Sequence, residues 1–346
     1  MIARAARRRA LVVILVVLAA VARVEGRQSD GAQASAPDLA KTLTDARALI
    51  AKGSAREAIA ALEKLDATVP DVKYLLGVAY YHADDHVRAI EALSTTRDKL
   101  PAGSSQRREA TQILGLCYYL TGRFADAIPL LEETRRWAED NLELGYILGQ
   151  AYIQTRQPDA ARTSLARTFG VAPDSAAASL IAAQLMIRLE LEPLAEAELK
   201  RALEKDAKLP RVHYLLGQLA LFRGRLDEAV ALSQRELEIN PGDGMAWYQL
   251  GDAYVRQSKW DEAATALQKS LWLNPFYSGP YILLGRVYLK KDQPATAEGM
   301  LRRAIQYDPN NRTAHYLLGQ LLQQTGRLEE AKRELEIAER LQAPGR

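Results

Sequence analysis

A glycine that returns every 34 residues constrains this chain more than any other feature. Gly115, Gly149, Gly217, Gly251, Gly285 and Gly319 fall on one grid, with Ala183 in the single vacant slot, and Gly77 lies 38 residues ahead of Gly115. Such a period means stacked supersecondary units, not one globular core. A glycine inside a helix costs roughly 1 kcal/mol relative to alanine. Its return at a fixed step therefore marks a place where a second helix comes close. The longer first step places an insertion around Ser104 to Arg107.

A second small residue follows at a constant offset: Ala89, Ala127, Ala161, Ala195, Ala229, Ala263, Ala297 and Ala331, with Ala58 as an earlier member. Glycine and alanine then mark the two helices of each unit, and large apolar residues around them fill the seam. Proline closes most units, at Pro101, Pro173, Pro241, Pro275 and Pro309, where it ends the second helix. Lys269 is expected on an outward helix face.

The stretches "YLLGQLALFRGRLDEAVAL", "YLLGQLLQQTGRLEEAKREL" and "YILGQAYIQTRQPDAARTSL" resemble tetratricopeptide repeats. Trp247, Leu250, Gly251, Tyr254, Ala263, Leu267 and Pro275 match that family's pattern, and Ser270 departs from it where alanine is usual. The resemblance implies an all-α, right-handed superhelical solenoid of about nine antiparallel helix pairs, occupying residues 39–346 as one domain. The first unit and the unit from Ala176 to Leu209 match least well, since both lack the Leu-Gly pair. The closing helix, "LEEAKRELEIAERLQ", alternates charges and reads as a cap.

Residues 1–26 join a basic start, "MIARAARRR", to an apolar run, "ALVVILVVLAAVA". That run is shorter than the roughly 20 residues a spanning helix needs, so the segment is expected to be a signal peptide, with an uncleaved inner-membrane anchor as the alternative. Residues 27–38 are expected to be a flexible polar linker, and the product to be periplasmic or secreted. The first 26 residues hold five arginines and one glutamate, so removing them takes the net charge from +3 to about −1. No basic fold surface for nucleic acid is expected, and membrane contact is expected only through an uncleaved N-terminal segment.

Cys117, the only cysteine, occupies an apolar slot of the repeat and is expected to be buried and inert. No phosphate loop, nucleophile elbow or zinc-protease motif appears. In "HADDH", His82 and His86 flank Asp84 and Asp85, but the register places them across a turn between helices. His213 and His315 share "HYLLGQ" contexts and stand where Trp247 and Tyr281 stand in their own units, which makes them packing residues. Neither an enzyme, a metal site nor a cofactor is expected.

What remains is binding. The resemblance implies that the first helix of each unit lines a concave groove that receives an extended peptide or a partner's helix. Spacing picks out one stripe: positions three before, one after, and four or five after each glycine. It carries Tyr74, Tyr146, Tyr214, Tyr248 and Tyr316, then Gln150, Gln184, Gln218 and Gln320, with Phe222 further along. Arg188, Arg256, Arg286 and Lys290 make its later half basic, opposed by Asp252, while Asp71, Glu109 and Glu143 lie in the early units. The function expected is a monomeric scaffold that binds a protein or extended peptide in this groove. Two alternatives stand beside it: a structural subunit of an envelope or secretion assembly that associates through its terminal repeats, and a stripe shared by descent alone.

Overall fold

The computed structural model describes residues 36–342. The expected leader, residues 1–26, lies outside the described residues. Nine helix pairs follow one another: α1 (Ala36–Ala51) with α2 (Ala55–Leu62), α3 (Pro70–His82) with α4 (His86–Ser94), and α5 (Ser105–Leu120) with α6 (Phe124–Arg135). Next come α7 (Leu142–Gln154) with α8 (Pro158–Thr168), α9 (Ala176–Arg188) with α10 (Glu192–Lys205), and α11 (Val212–Phe222) with α12 (Leu226–Ile239). The last are α13 (Gly244–Arg256) with α14 (Trp260–Leu273), α15 (Ser278–Lys290) with α16 (Pro294–Tyr307), and α17 (Arg312–Gln324) with α18 (Leu328–Gln342). Helix α1 opens at Ala36, ahead of the expected boundary at 39, so the end of the expected linker is already helical.

The glycines do what their spacing requires. A Cβ on Gly251 would lie 2.6 Å from Leu267 of α14, and one on Gly149 2.6 Å from Leu165 of α8. Gly77, Gly285 and Gly319 meet Leu93, Leu301 and Leu335 in the same way. Gly217 departs from this scheme. Ser233 stands where the other units have leucine, and the nearest atom to a Cβ there would be the Gln249 side-chain oxygen at 2.7 Å. Ser233 donates to that oxygen at 3.0 Å, and the Gln249 amide donates to the Tyr214 carbonyl at 3.1 Å. The apolar seam expected at this unit is thus a buried polar joint, satisfied at both ends of the amide.

The turns repeat as faithfully as the helices. One residue in each turn between paired helices takes a left-handed conformation: Gly53, Asp84, Gly122, Arg156, Glu190, Gly224, Ser258, Asp292 and Gly326. The amide that follows reaches back across the turn, as Arg123 does to the Tyr118 carbonyl at 2.8 Å and Lys259 to Tyr254 at 2.9 Å. This closure satisfies carbonyls that a helix end leaves open. Opposite these turns, side chains of Ser104, Asn141, Ser175, Asp243 and Asn311 cap the first helices of their units. The expected insertion appears as a 3₁₀ turn at Arg97–Lys99 and as an earlier start of α5 at Ser105.

The unit closed by Pro241 shows why proline and the ring four residues before glycine travel together. Trp247 donates to the Pro241 carbonyl at 2.9 Å, Tyr281 donates to Pro275 at 3.0 Å, and His315 Nε2 sits 3.0 Å from the Pro309 carbonyl. His213 has no proline six residues ahead of it, and its Nδ1 is buried without a hydrogen bond. Lys269 is exposed but not idle, because its ammonium lies 4.4 Å from the Trp247 ring centre.

Each helix packs on its sequence neighbours, and successive odd-numbered helices also meet, as α3 with α5 and α13 with α15. Even-numbered helices show no comparable packing on each other. The odd-numbered helices therefore form the inner wall of the solenoid. One buried ion pair crosses the outer side: Arg162 of α8 and Glu198 of α10 approach to 2.6 Å, with side chains 7% and 6% exposed.

Candidate functional site

Along the inner wall, exposure rises steadily from one end of the stripe to the other. Position three before glycine is mostly closed, because the next odd-numbered helix packs over it. Tyr74 is 1% exposed, donates its hydroxyl to Glu109 of the following unit and lies under the Arg47 guanidinium at 5.7 Å. It is therefore a joint between units, not groove surface. Burial, with Glu109 beside it, drives its phenol well above the usual range. Ile282 is also buried, whereas Tyr146, Tyr214 and Tyr248 are half-buried and Tyr316 is exposed.

Position one after glycine is half-open. Gln150 accepts from the Tyr119 hydroxyl, and Gln320 donates to the Tyr316 hydroxyl at 2.9 Å. Gln184 is half-buried and Gln218 exposed. Asp252 holds Arg256 at 2.9 Å, and the same guanidinium reaches the Leu221 carbonyl of α11 at 3.1 Å. At the far end, Arg188 is exposed over the Tyr146 ring at 5.9 Å, Lys290 is exposed, and Phe222 is 77% exposed.

Spacing along one helix could not foresee this division. Much of the early stripe is spent on the neighbouring unit, through Tyr74 with Glu109, Tyr119 with Gln150, and Tyr146 with Arg188. Burial pushes the Tyr119 phenol up to about 12, which keeps it a neutral donor at physiological pH.

The later stripe opens into a cleft of about 400 Å³. Tyr248, Ile282 and Leu283 line it with Arg286, and so does Tyr277, which the spacing missed because it sits in the turn before α15. Tyr277 packs edge-on against Tyr248, with ring centres 5.2 Å apart. Asp308 and Asn311, joined at 3.0 Å, form the polar rim. The cleft thus offers two aromatic rings, aliphatic floor and an exposed guanidinium, a set suited to an apolar side chain next to a carboxylate.

Cys117 is fully buried, and burial pushes its thiol up to about 12, which disfavours the thiolate at neutral pH. His82 ends α3 and His86 begins α4, with Asp85 capping α4 between them. Among the described residues, no group of three or more His, Cys, Asp or Glu side chains comes together as a metal site. Nor is any described helix long and apolar enough to cross a membrane.

No curated protein matches the sequence. Among solved structures, the chain is similar to pilF of Pseudomonas aeruginosa at 22% identity, TM-score 0.48, covering 58% of this chain and 91% of that one. It is also similar to MamA of Desulfovibrio magneticus RS-1 at 21% identity, TM-score 0.45, covering 49% and 95%. YrrB, described as a TPR protein with an unusual peptide-binding site, shows 21% identity, TM-score 0.42, covering 49% and 87%. Family models described as tetratricopeptide repeat match residues 118–185 and 288–343, and residues 43–104, 193–244 and 214–278. With a 34-residue period, a close-packed glycine in seven of the nine described first helices and paired antiparallel helices throughout the described residues, the chain belongs to the tetratricopeptide repeat family.

Proposed function

We propose that this protein is a non-enzymatic scaffold that holds an extended, acidic segment of a partner protein along the later half of its inner wall. The observation that carries this reading is the cleft between Tyr248, Tyr277 and Ile282 with Arg286 on its wall. Exposed Lys290 extends the positive charge toward the open edge, and exposed Gln218 and Phe222 continue the surface into the preceding units. A row of amides and rings grips backbone and side chains with little demand on sequence. The cations then select for carboxylates.

Panning a random peptide library on the purified chain tests this without knowledge of the natural partner. Enriched peptides should pair an aromatic or large aliphatic residue with Asp or Glu. Arg286→Glu plus Lys290→Glu should remove the acidic preference, while Glu262→Ala on α14 should leave it. Enrichment that is absent, or unchanged in the charge-reversed form, sinks the proposal.

A second reading, an assembly subunit joined through terminal repeats, draws on the last helix. Leu328 is 62% exposed, and with Ala331, Leu335, Glu336 and Glu339 it lines a cleft of about 260 Å³. Sedimentation that shifts with concentration, and ceases to do so after Leu328→Glu, would favour it over a monomeric groove binder.

We also propose export, from the order of charge and hydropathy in residues 1–26, followed by the linker and the repeat domain. Mass spectrometry of the mature N-terminus decides it: a start near Ala22 or Gly26 agrees, and intact Met1 in the membrane fraction makes the segment an anchor.

A further inference from the structure

The edge of the solenoid where second helices end and first helices begin carries a feature that the groove does not use. Trp272, in the last turn of α14, is 84% exposed, and Phe276, in the turn that follows, is 74% exposed. The residues one repeat away from Trp272 are Glu238 and Gln306, and those one repeat from Phe276 are Gly242 and Asn310. Only this unit of the three therefore sets large aromatic rings at both places. Leaving them in water forgoes about 25 cal/mol for each Å² they could bury.

A cation recurs one helical turn before the Trp272 position in three successive units. Lys269 lies one helical turn before Trp272 on α14, and Arg235 and Arg303 occupy its place in the adjacent units. Arg235 is partnered by Glu238 at 2.8 Å. Lys269 faces the Trp247 ring, and Arg303 lies beside Tyr281, neither in an ion pair among the described residues. Phe276 packs edge-on against Tyr307 at 5.7 Å, which fixes it as part of a rigid aromatic ridge.

We propose that this edge rests on an anionic lipid surface, with Trp272 and Phe276 inserted at headgroup depth and Lys269 and Arg303 against the phosphates. The rings project from the surface and line neither of the clefts described above. A projecting ring needs a soft, penetrable medium, whereas a protein partner must offer a shaped pocket. Tryptophan favours the membrane–water interface, and each nearby cation adds to the attraction of an anionic leaflet.

The test uses the full chain with vesicles of phosphatidylglycerol and phosphatidylcholine whose acyl chains carry bromine close to the glycerol backbone, a quencher within reach of tryptophan at the interface. The difference in emission between the parent and Trp272→Phe isolates this one residue from the other tryptophans. The N-terminal apolar segment is common to all forms, so it cannot create that difference. Trp272 should be quenched on anionic vesicles and much less on phosphatidylcholine alone. Lys269→Gln plus Arg303→Gln should weaken the Trp272-dependent partitioning roughly 25-fold, and Phe276→Ala should weaken it with both charges in place. Unquenched Trp272, equal quenching on neutral vesicles, or an emission change that requires a protein partner would each overturn the proposal.

Discussion

The units before Leu209 and those after it are written in one repeat code, yet they differ in how they spend it. In the earlier half, two long apolar clusters run almost without interruption, one from Ala46 to Leu130 and one from Ala127 that ends on α11 at Leu219. There the inner-wall side chains bind one another across units. In the later half the core divides into smaller clusters, and the inner wall opens at Phe222, Arg286, Lys290 and Tyr316.

The joint between them explains part of the change. The turn before α11 lacks a side-chain cap from its own residues, and Arg211 takes a left-handed conformation there. The fully buried Glu236 of α12 supplies the acceptors instead, receiving the Arg211 amide at 2.6 Å and the Tyr214 amide at 3.1 Å. A position that holds a small residue elsewhere, such as Ala304 or Ser270, has become a carboxylate that anchors the start of the preceding helix in its own unit. The lesson is that a repeat position acquires its role from the groups that packing places opposite it.

Breaking the earlier half at its one buried ion pair should have the largest effect. Glu198→Ala takes away the buried partner of the Arg162 guanidinium and leaves it only the exposed Asp159, also at 2.6 Å, so urea unfolding should report a loss of up to about 3 kcal/mol. A loss no larger than that of an exposed pair such as Arg235 with Glu238 would show that solvent reaches this site.

The two kinds of seam can be compared directly with one methyl group. Gly149→Ala drives into Leu165 and should cost about 1 to 3 kcal/mol. Gly217→Ala meets the end of a flexible Gln249 side chain and should cost clearly less in the same urea titration. Equal costs would mean that the Ser233–Gln249 joint is as unyielding as the leucine seam.

Smaller still is a change at a shared turn. Arg156 adopts φ of 59°, where Gly122, Gly224 and Gly326 serve in other units. A side chain in this conformation is strained by roughly 1 kcal/mol, so Arg156→Gly should raise the midpoint of thermal unfolding, and Gly122→Ala should lower it.

The pH response draws on one histidine in each half, since burial lowers the pKa of His82 as well as that of His213. Burial lowers the His213 pKa below its ordinary value. The unfolded chain then takes up a proton near pH 6.5 that the folded chain refuses. Stability from this residue is complete above that pH and declines as pH falls toward the lower, folded value. Replacing His213 with phenylalanine should flatten the decline in thermal melts between pH 7 and pH 5.

The helix pairs were legible because close packing at glycine leaves a one-residue signature at a fixed interval. Ser270, the one mismatch in its unit, proved compatible because its hydroxyl donates to the Gly244 carbonyl at 2.7 Å. The left-handed turn residue was harder to see, since Asp84, Arg156, Glu190, Ser258 and Asp292 carry no side-chain type in common with glycine. The groove was legible only as a direction. Tyr74 and Tyr316 occupy the same register, but Tyr74 has another unit packed over it and Tyr316 lies on the last first helix of the solenoid. The Tyr277 wall of the cleft came from outside the helix on which the stripe was drawn.

The division of the later core into separate clusters also sets how the molecule opens. Each unit there can lose its packing with little consequence beyond its immediate neighbours, as in a nearly one-dimensional lattice. Amide exchange should therefore be fastest in α18, whose buried side chains are Ala331 and Ala338, and should slow unit by unit toward the two long clusters. The surface proposed to receive a partner and the part of the chain that frays most readily are then the same stretch, so an occupant laid across it would act as a splint.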